Sequence, residues 1–401
     1  MSGTKVNEKL LPAHLKPKDD ELLSSWLVRL ARAHSLKLHT FCSLVWPGKQ
    51  IWNRDIDKSA DSEIVEVLSA GTGTSIERSW ATTLIVYEGI LYEKHNRFGP
   101  SPWIMPVGVY HRTRRQFGLQ FCPRCLAEDK EPYYRRKWRL AFVAVCERHY
   151  VQLHDRCPKC GEAVNFHRCE LSNHRKFGAV SLTLCHACNF KLHKTEKQIV
   201  PVTPEEVEFT GMLLQSMHTG FVRISKDVIA HSHLFFAGLR QLMKIVAMRD
   251  KRIVTLRQAV VEAYRVEAYM PVTPSSVDIQ ELGVEARRQL LGLVRCLLEN
   301  WPQSFVKFST DQKVWSSLWL RHLEPSIEGW MRAPFWFWSI VHDDLYRAKY
   351  CPSGEEINAA IKYLRMKRQP VNKSTLARLL GTATVRQKTN LSQLSRHSET
   401  S

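Results

Sequence analysis

The sequence predicts a mainly α-helical, multidomain protein with a cysteine-rich region set between helical parts. Three observations carry this. Apolar residues recur at helical spacing near both ends, as in Leu22, Leu23, Trp26, Leu27, Leu30 and Ala31. Eight of the eleven cysteines fall between residues 105 and 198. Period-two runs rich in Val, Ile and Thr are nearly absent, so little sheet is expected outside the cysteine-rich region.

The first domain spans residues 1–104. Residues 1–17 are polar and broken by proline, and Asp19 and Asp20 then precede the first helical pattern. A break at His34-Ser35 leads to a second short apolar segment, Leu38 to Val45, and Pro47-Gly48 closes the unit. Two short helices joined by a tight turn fit a helix-turn-helix; spacing alone fits any small helical domain equally well. Ile64, Val65, Val67 and Leu68 predict another helix, followed by Gly71-Thr72-Gly73-Thr74. A further helix is expected from Ser75 through Trp80, Leu84, Ile85 and Val86.

The second domain, residues 105–198, is read as a tandem zinc-ribbon or zinc-knuckle region. Its strongest signal is four ligand pairs: Cys122-Pro-Arg-Cys125, Cys146-Glu-Arg-His149, Cys157-Pro-Lys-Cys160 and Cys185-His-Ala-Cys188. A two-residue gap inside a turn lets both side chains face one ion, and two such turns make a tetrahedral site. Cys122, Cys125, Cys146 and His149 are expected to form one site, and Cys157, Cys160, Cys185 and Cys188 the other. Two structural zinc ions follow, with an iron–sulfur cluster as the alternative. Interleaved pairing is the other arrangement, and His154, His167, Cys169, His174, His186 and His193 are nearby substitutes. Four protein ligands leave no open position for catalysis, and the His-x-Glu of a zinc deaminase is missing at its spacing. Cys42, Cys296 and Cys351 read as core residues.

The third domain, residues 199–350, is a helical domain, and residues 203–350 read as helical throughout. Thr203-Pro204-Glu205-Glu206 is a helix start, with Thr203 and Glu206 at capping-box spacing and Pro204 in first position. Pro-Val-Thr-Pro recurs at 271–274. The dense aromatic run from Trp330 to Trp338, with Trp301, Trp315 and Trp319, reads as helical core; a partner-binding surface is the alternative. The fourth domain, residues 351–401, carries Ile357, Ala360, Ile361 and Leu364, then Ser374 to Gly381, in the pattern of a second helix-turn-helix. Its recognition helix would start at Thr384, and its basic tail would follow.

Charge narrows the class of partner. Lys and Arg number 58 and Asp and Glu 39, so the net charge is 58 − 39 = +19. Between His111 and Val200 there are 18 basic and 8 acidic residues, about half of that excess. A polyanion is implied, with nucleic acid first and an acidic membrane surface second. Arg112, Arg114, Arg115, Arg135, Arg136, Lys137 and Arg139, interleaved with Tyr133, Tyr134 and Trp138, are candidate contacts. Lys373, Arg378, Arg386 and Lys388 are candidates in the second helix-turn-helix. A solvated basic face against an acidic protein is the other reading.

No apolar run reaches the ~18 residues of a spanning helix, and the N-terminus lacks a signal-peptide pattern. A cytoplasmic protein with reduced cysteines is expected. No GxxxxGK[ST], GxGxxG or GxSxG sequence occurs, and His342-Asp343-Asp344 reads as a surface turn, so an enzyme is not expected.

Several of these stretches together resemble the TniQ family. They are Asp20 to Ala31, Cys122 to Cys125, Trp138-Arg139-Leu140, Cys146 to His149 with Leu153, and Cys157 to Gly161; Asn300-Trp301-Pro302 is similar to a motif of the helical half. TniQ and the related TnsD-type proteins serve transposons of the Tn-seven kind. The resemblance implies a non-catalytic selector of transposon target sites. Such a protein binds double-stranded target DNA and recruits an AAA+ ATPase, which brings in the transposase. The alternative it implies is an adaptor that links an RNA-guided CRISPR effector complex to that machinery. Some members are homodimers. Zinc-ligand roles carry over to the eight residues of the two sites.

Overall fold

A helix that begins on apolar residues has no side chain of its own to satisfy its first N–H groups. Leu23–Ala33 (α1) is such a helix, with Leu22 as N-cap. Asp57 supplies the missing acceptor from 33 residues away. Its Oδ1 accepts from the Ser24 backbone N–H at 2.7 Å and its Oδ2 from Ser24 Oγ at 2.8 Å. Asp57 lies on Ile56–Ser59 (α3), while Leu38–Val45 (α2) packs Leu38, Phe41 and Cys42 inward beside α1. Ser62–Thr72 (α4) is capped locally by Asp61, and Gly73 ends it at φ +60°.

The computed structural model describes residues 10–108, 116–169, 182–195, 198–226, 228–248, 250–264, 278–320, 333–345 and 352–381. It is mainly helical. Ile76–Trp80 (α5) is shorter than its sequence pattern predicts. Thr82 and Thr83 turn their hydroxyls onto the carbonyls of Ser79 and Trp80, at 2.7 and 2.8 Å, and Leu84–Tyr87 continues as a 3₁₀ turn. Pro123–Glu128 (α6) is followed by the antiparallel pair Val145–Cys146 (β1) and Val151–Gln152 (β2).

Pro204–Thr219 (α7) carries the predicted capping box between Thr203 and Glu206, with Pro204 at its first turn. The expectation of helix throughout 203–350 fails directly after α7. Gly220, at φ +76°, stops α7, and Phe221–Arg223 (β3) pairs with Ile229–His231 (β4) in a hairpin. Val222 and Ala230 face inward while their neighbours face out, the alternation of a half-buried ribbon. Helices resume with Ser232–Val246 (α8), Lys251–Tyr264 (α9), Val284–Leu298 (α10), Gln303–Asp311 (α11), Ser316–Trp319 (α12) and Phe335–Asp343 (α13). The second Pro-Val-Thr-Pro lies outside the described residues. No helix among those described is long and apolar enough to cross a membrane.

The chain divides into two units, residues 1–345 and 346–401. Within the first, a single apolar core runs from Leu22 to Leu345. Described residues from 22 to 345 contribute to it. The ring of Trp103 packs edge-on against Phe142 and Phe236, and its Nε1 donates to the Phe236 carbonyl at 3.2 Å. Of the dense aromatic run, Trp336 and Phe337 are buried among Trp301, Phe305 and Trp319, while Phe335 and Trp338 face solvent. Trp330 lies outside the described residues. The second unit holds Gly354–Met366 (α14) and Lys373–Leu379 (α15), packed through Ile357, Ile361, Leu364 and Leu376. Ser353 and Asn372 cap the two helices. The expected recognition helix lies outside the described residues.

Candidate metal centres

Each Cys-x-x-Cys or Cys-x-x-His pair needs a turn that aims two side chains at one point. Three of the four pairs solve this alike. The residue after the second ligand takes a positive φ: Tyr150 at 51°, Gly161 at 70° and Asn189 at 57°. Its N–H donates back to the carbonyl of the first ligand, with Tyr150 on Cys146 at 2.9 Å, Gly161 on Cys157 at 2.8 Å and Asn189 on Cys185 at 2.9 Å. Glycine and asparagine tolerate this conformation best. The fourth pair differs. Cys122 is the N-cap of α6, Pro123 opens the helix, and Cys125 follows on its first turn.

Two clusters result. In the first, the Sγ atoms of Cys122, Cys125 and Cys146 lie 3.4, 3.3 and 3.5 Å from His149 Nδ1. Cys125 and Cys146 are 3.7 Å apart. In the second, Cys157 faces Cys188 and Cys160 faces Cys185, each at 3.6 Å. Within each cluster all four donor atoms lie within 4.8 Å of one another. Zinc bonds of ~2.3 Å to sulfur and ~2.0 Å to nitrogen require tetrahedral edges of about 3.8 Å between sulfurs and about 3.5 Å between sulfur and nitrogen, so both donor sets fit a tetrahedral ion. The pairing is sequential, not interleaved.

The centres differ in depth. Cys122, Cys125 and Cys146 are buried, whereas Cys160 is exposed and Cys188 half-exposed. The first also has an outer partner: His149 Nε2 lies 3.0 Å from Glu128 Oε1, and the same carboxylate meets Arg148 at 2.6 Å. A carboxylate behind a metal-facing imidazole fixes its tautomer and orientation. Glu128 sits one helical turn beyond Cys125, a spacing that could have revealed it.

The substitute ligands go elsewhere. His167 is buried and stacked on Trp52 at 5.3 Å, and burial pushes its pKa down to about 3. His154 stacks on Phe121, and Cys169 donates to the Leu184 carbonyl. His186 and His193 are in neither cluster, and His174 lies outside the described residues. Cys42 and Cys296 are buried, Cys42 taking a bond from Trp52 Nε1 at 3.3 Å. Cys351 also lies outside.

Among the candidate nucleic-acid contacts, the sequence did not show which way the side chains turn. Arg135 is buried, chelates Asp129 at 2.8 and 3.0 Å and packs on Tyr133 and Trp138. Arg136 donates to Tyr87 Oη at 3.2 Å and to the Ala81 carbonyl. Lys137 pairs with Glu147 at 2.9 Å. Arg139 is fully buried against Asp55 and Asp57. Lys373 and Arg378 are exposed on α15. Arg112, Arg114, Arg115, Arg386 and Lys388 lie outside the described residues. The His342-Asp343 pair is an exposed contact of 2.9 Å at the end of α13.

Residues 12–153, which include α1 and the whole first cluster, match the TniQ family model. No curated protein matches the chain.

Proposed function

We propose, for a chain that belongs to the TniQ family, that it selects the target site of a transposon by binding duplex DNA and recruits an AAA+ ATPase, which brings in the transposase. The family is a non-catalytic accessory of transposition, and the match over 12–153 is the observation that carries the reading. Both clusters hold zinc as a structural ion in a reducing cytoplasm: four protein donors fill each tetrahedron, and no position is left for substrate. The net charge of +19 supports direct DNA contact. So does the second unit, where Lys362, Arg365, Lys367, Arg368, Lys373 and Arg378 are all exposed.

One observation favours the adaptor reading, in which an RNA-guided complex finds the target. Arg135, Arg136 and Lys137 are turned to internal partners and are not arrayed for phosphates. The test mixes the zinc-loaded protein with sheared genomic DNA at moderate salt and sequences what is retained. One sharply enriched locus is expected. Flat enrichment from folded protein, with co-purification of a guide complex, replaces direct reading by adaptation.

A further inference from the structure

The loop before Ser101 raises one large aromatic out of the surface. Phe98 is 68% exposed. Its turn is fixed, because Asn96 Oδ1 accepts from the backbone N–H groups of Phe98 at 3.2 Å and Gly99 at 2.8 Å. Two guanidinium groups lie over the ring. The guanidinium carbons of Arg97 and Arg54 lie 5.4 and 6.0 Å from its centroid. Arg97 is held by a 2.6 Å bond to the Ser59 carbonyl, and the Lys58 ammonium donates to the Gly99 carbonyl.

These four side chains line one part of a cleft of about 440 Å³, within the range of small-ligand sites. Two carboxylates of its wall already face guanidinium groups: Asp55 meets Arg139 at 2.5 Å, a cation it shares with Asp57, and Asp278 pairs with Arg240. Glu281 is the other acid of the lining. A largely exposed ring that carries guanidinium groups, with an ammonium in the same cleft, offers planar surfaces on which a base stacks and cations for the phosphates beside it. An acidic peptide would use the cations and leave the aromatic face idle.

We propose that this cleft is a nucleic-acid contact, in which a base stacks on Phe98 while Lys58, Arg54 and Arg97 hold the adjoining phosphates. The base comes from a single strand or from a duplex that opens locally. The inference rests on the reading that the chain meets DNA directly.

The test is fluorescence anisotropy of the full-length, zinc-loaded protein with a labelled 20-nucleotide single strand and with the matching duplex. Wild type is compared with Phe98→Ala and Lys58→Gln, each checked for an unchanged thermal midpoint. Phe98→Ala is expected to weaken binding about fivefold or more, with the salt dependence unchanged. Lys58→Gln is expected to weaken it and to lower the slope of log K against log salt by about one. A loss confined to the single strand names that strand as the source of the base; a loss confined to the duplex names local opening. Wild-type affinity from both variants on both DNAs overturns the cleft and leaves direct DNA reading standing. A wild type that binds neither DNA overturns both.

Discussion

Arg287 and Gln120 are both fully buried and are joined by a 2.8 Å bond from the guanidinium Nη2 to the amide oxygen. Gln120 lies two residues before the first metal ligand, and Arg287 lies on α10. The amide nitrogen of Gln120 donates to the carbonyls of Trp138 and Val143 at 2.9 and 3.0 Å. The guanidinium also donates to the carbonyls of Ala141, at 2.6 Å, and Leu282, at 3.0 Å. Its acceptors are all neutral, and burial lowers its pKa to about 10. Asp155, whose carboxylate accepts from the Val284 N–H at 3.0 Å, ties the start of the same helix to the residues before Cys157. The helical half thus reaches the metal region through buried polar bonds as well as apolar packing.

Removing that guanidinium takes the donor from two buried acceptors, the Gln120 amide oxygen and the Ala141 carbonyl, and from the partly buried Leu282 carbonyl. Arg287→Met, which keeps most of the volume, is expected to cost on the order of 3 kcal/mol of unfolding free energy, read as a lower urea midpoint. In a cycle with Gln120→Leu the two losses are expected to fall short of additivity by about 1 kcal/mol. Strict additivity would show that the pair does not act as one connection.

The different depths of the two clusters predict two-step metal loss. With excess chelator at neutral pH, one equivalent of zinc is expected to leave rapidly, from the centre containing exposed Cys160. The second should follow slowly, from the centre with Cys122 fully buried, and at the rate of protein opening. Cys157→Ser should abolish the fast step and Cys122→Ser the slow one, where soluble protein is obtained. A chromogenic chelator follows the release; a single phase of two equivalents would refute the assignment.

Glu128 is expected to tune the buried centre without being a ligand. Its carboxylate lies behind His149, and neighbouring His149 and Arg148 hold its pKa below the usual range. Glu128→Gln should weaken zinc at this centre ten- to a hundredfold and leave the second unchanged. Competition titration against a chelator of known affinity measures both.

The metal region was legible because its signal is local. A two-residue ligand gap is closed by one turn, so the spacings of Cys122, Cys146, Cys157 and Cys185 grouped the donors before any fold was known. Helix α2 was legible for the same reason, with the bounds Leu38 and Val45 marked by apolar spacing and Pro47-Gly48. What failed depends on distant chain. The cap of α1 comes from Asp57, and the β3–β4 hairpin depends on Val222 and Ala230 finding a core. Arg135 reads in sequence like its neighbours on a basic surface, yet it turns inward to Asp129 and packs on Tyr133 and Trp138. Charge counts report how many cations a segment carries, not which way they face.

Asp57 gives stability a pH dependence of unusual sign for a carboxylate. It is buried and shares a single guanidinium, that of Arg139, with the half-buried Asp55. Burial, and then the neighbouring Asp55, raise its pKa from 3.8 to about 6 against the pull of Arg139 and the Ser24 bonds. The folded state therefore holds this proton more tightly than the unfolded state. The resulting stability is fully present below about pH 4 and is lost as pH rises through about 6. Asp57→Asn fixes the neutral form. The difference between variant and wild type should move in favour of the variant by on the order of 1 kcal/mol from pH 5 to 7.5. Urea melts at the two pH values measure it; a constant difference would place the ionised form of Asp57 at home beside Arg139. The comparison stops at pH 5 because thiolates that protonate below it release metal.

Lys58 predicts a pH dependence of DNA affinity that separates it from the other cations. Burial lowers its pKa to about 8, with Asp55 opposing the shift and Arg139 adding to it. Only the ammonium form attracts phosphate. Between pH 7 and 9 its charged fraction in the free protein falls from about nine-tenths to about one-tenth, while ordinary lysines near 10.4 stay charged. A bound phosphate favours the charged form and moves the loss somewhat higher. Wild-type affinity for the single strand should therefore decline across this range and approach that of Lys58→Gln, whose own affinity should stay nearly flat. Lys58→Arg, which keeps its proton throughout, should retain the neutral-pH affinity at pH 9. Anisotropy titrations at fixed ionic strength read all three curves. Parallel curves for wild type and Lys58→Gln would remove Lys58 from the contact, whatever binds at Phe98.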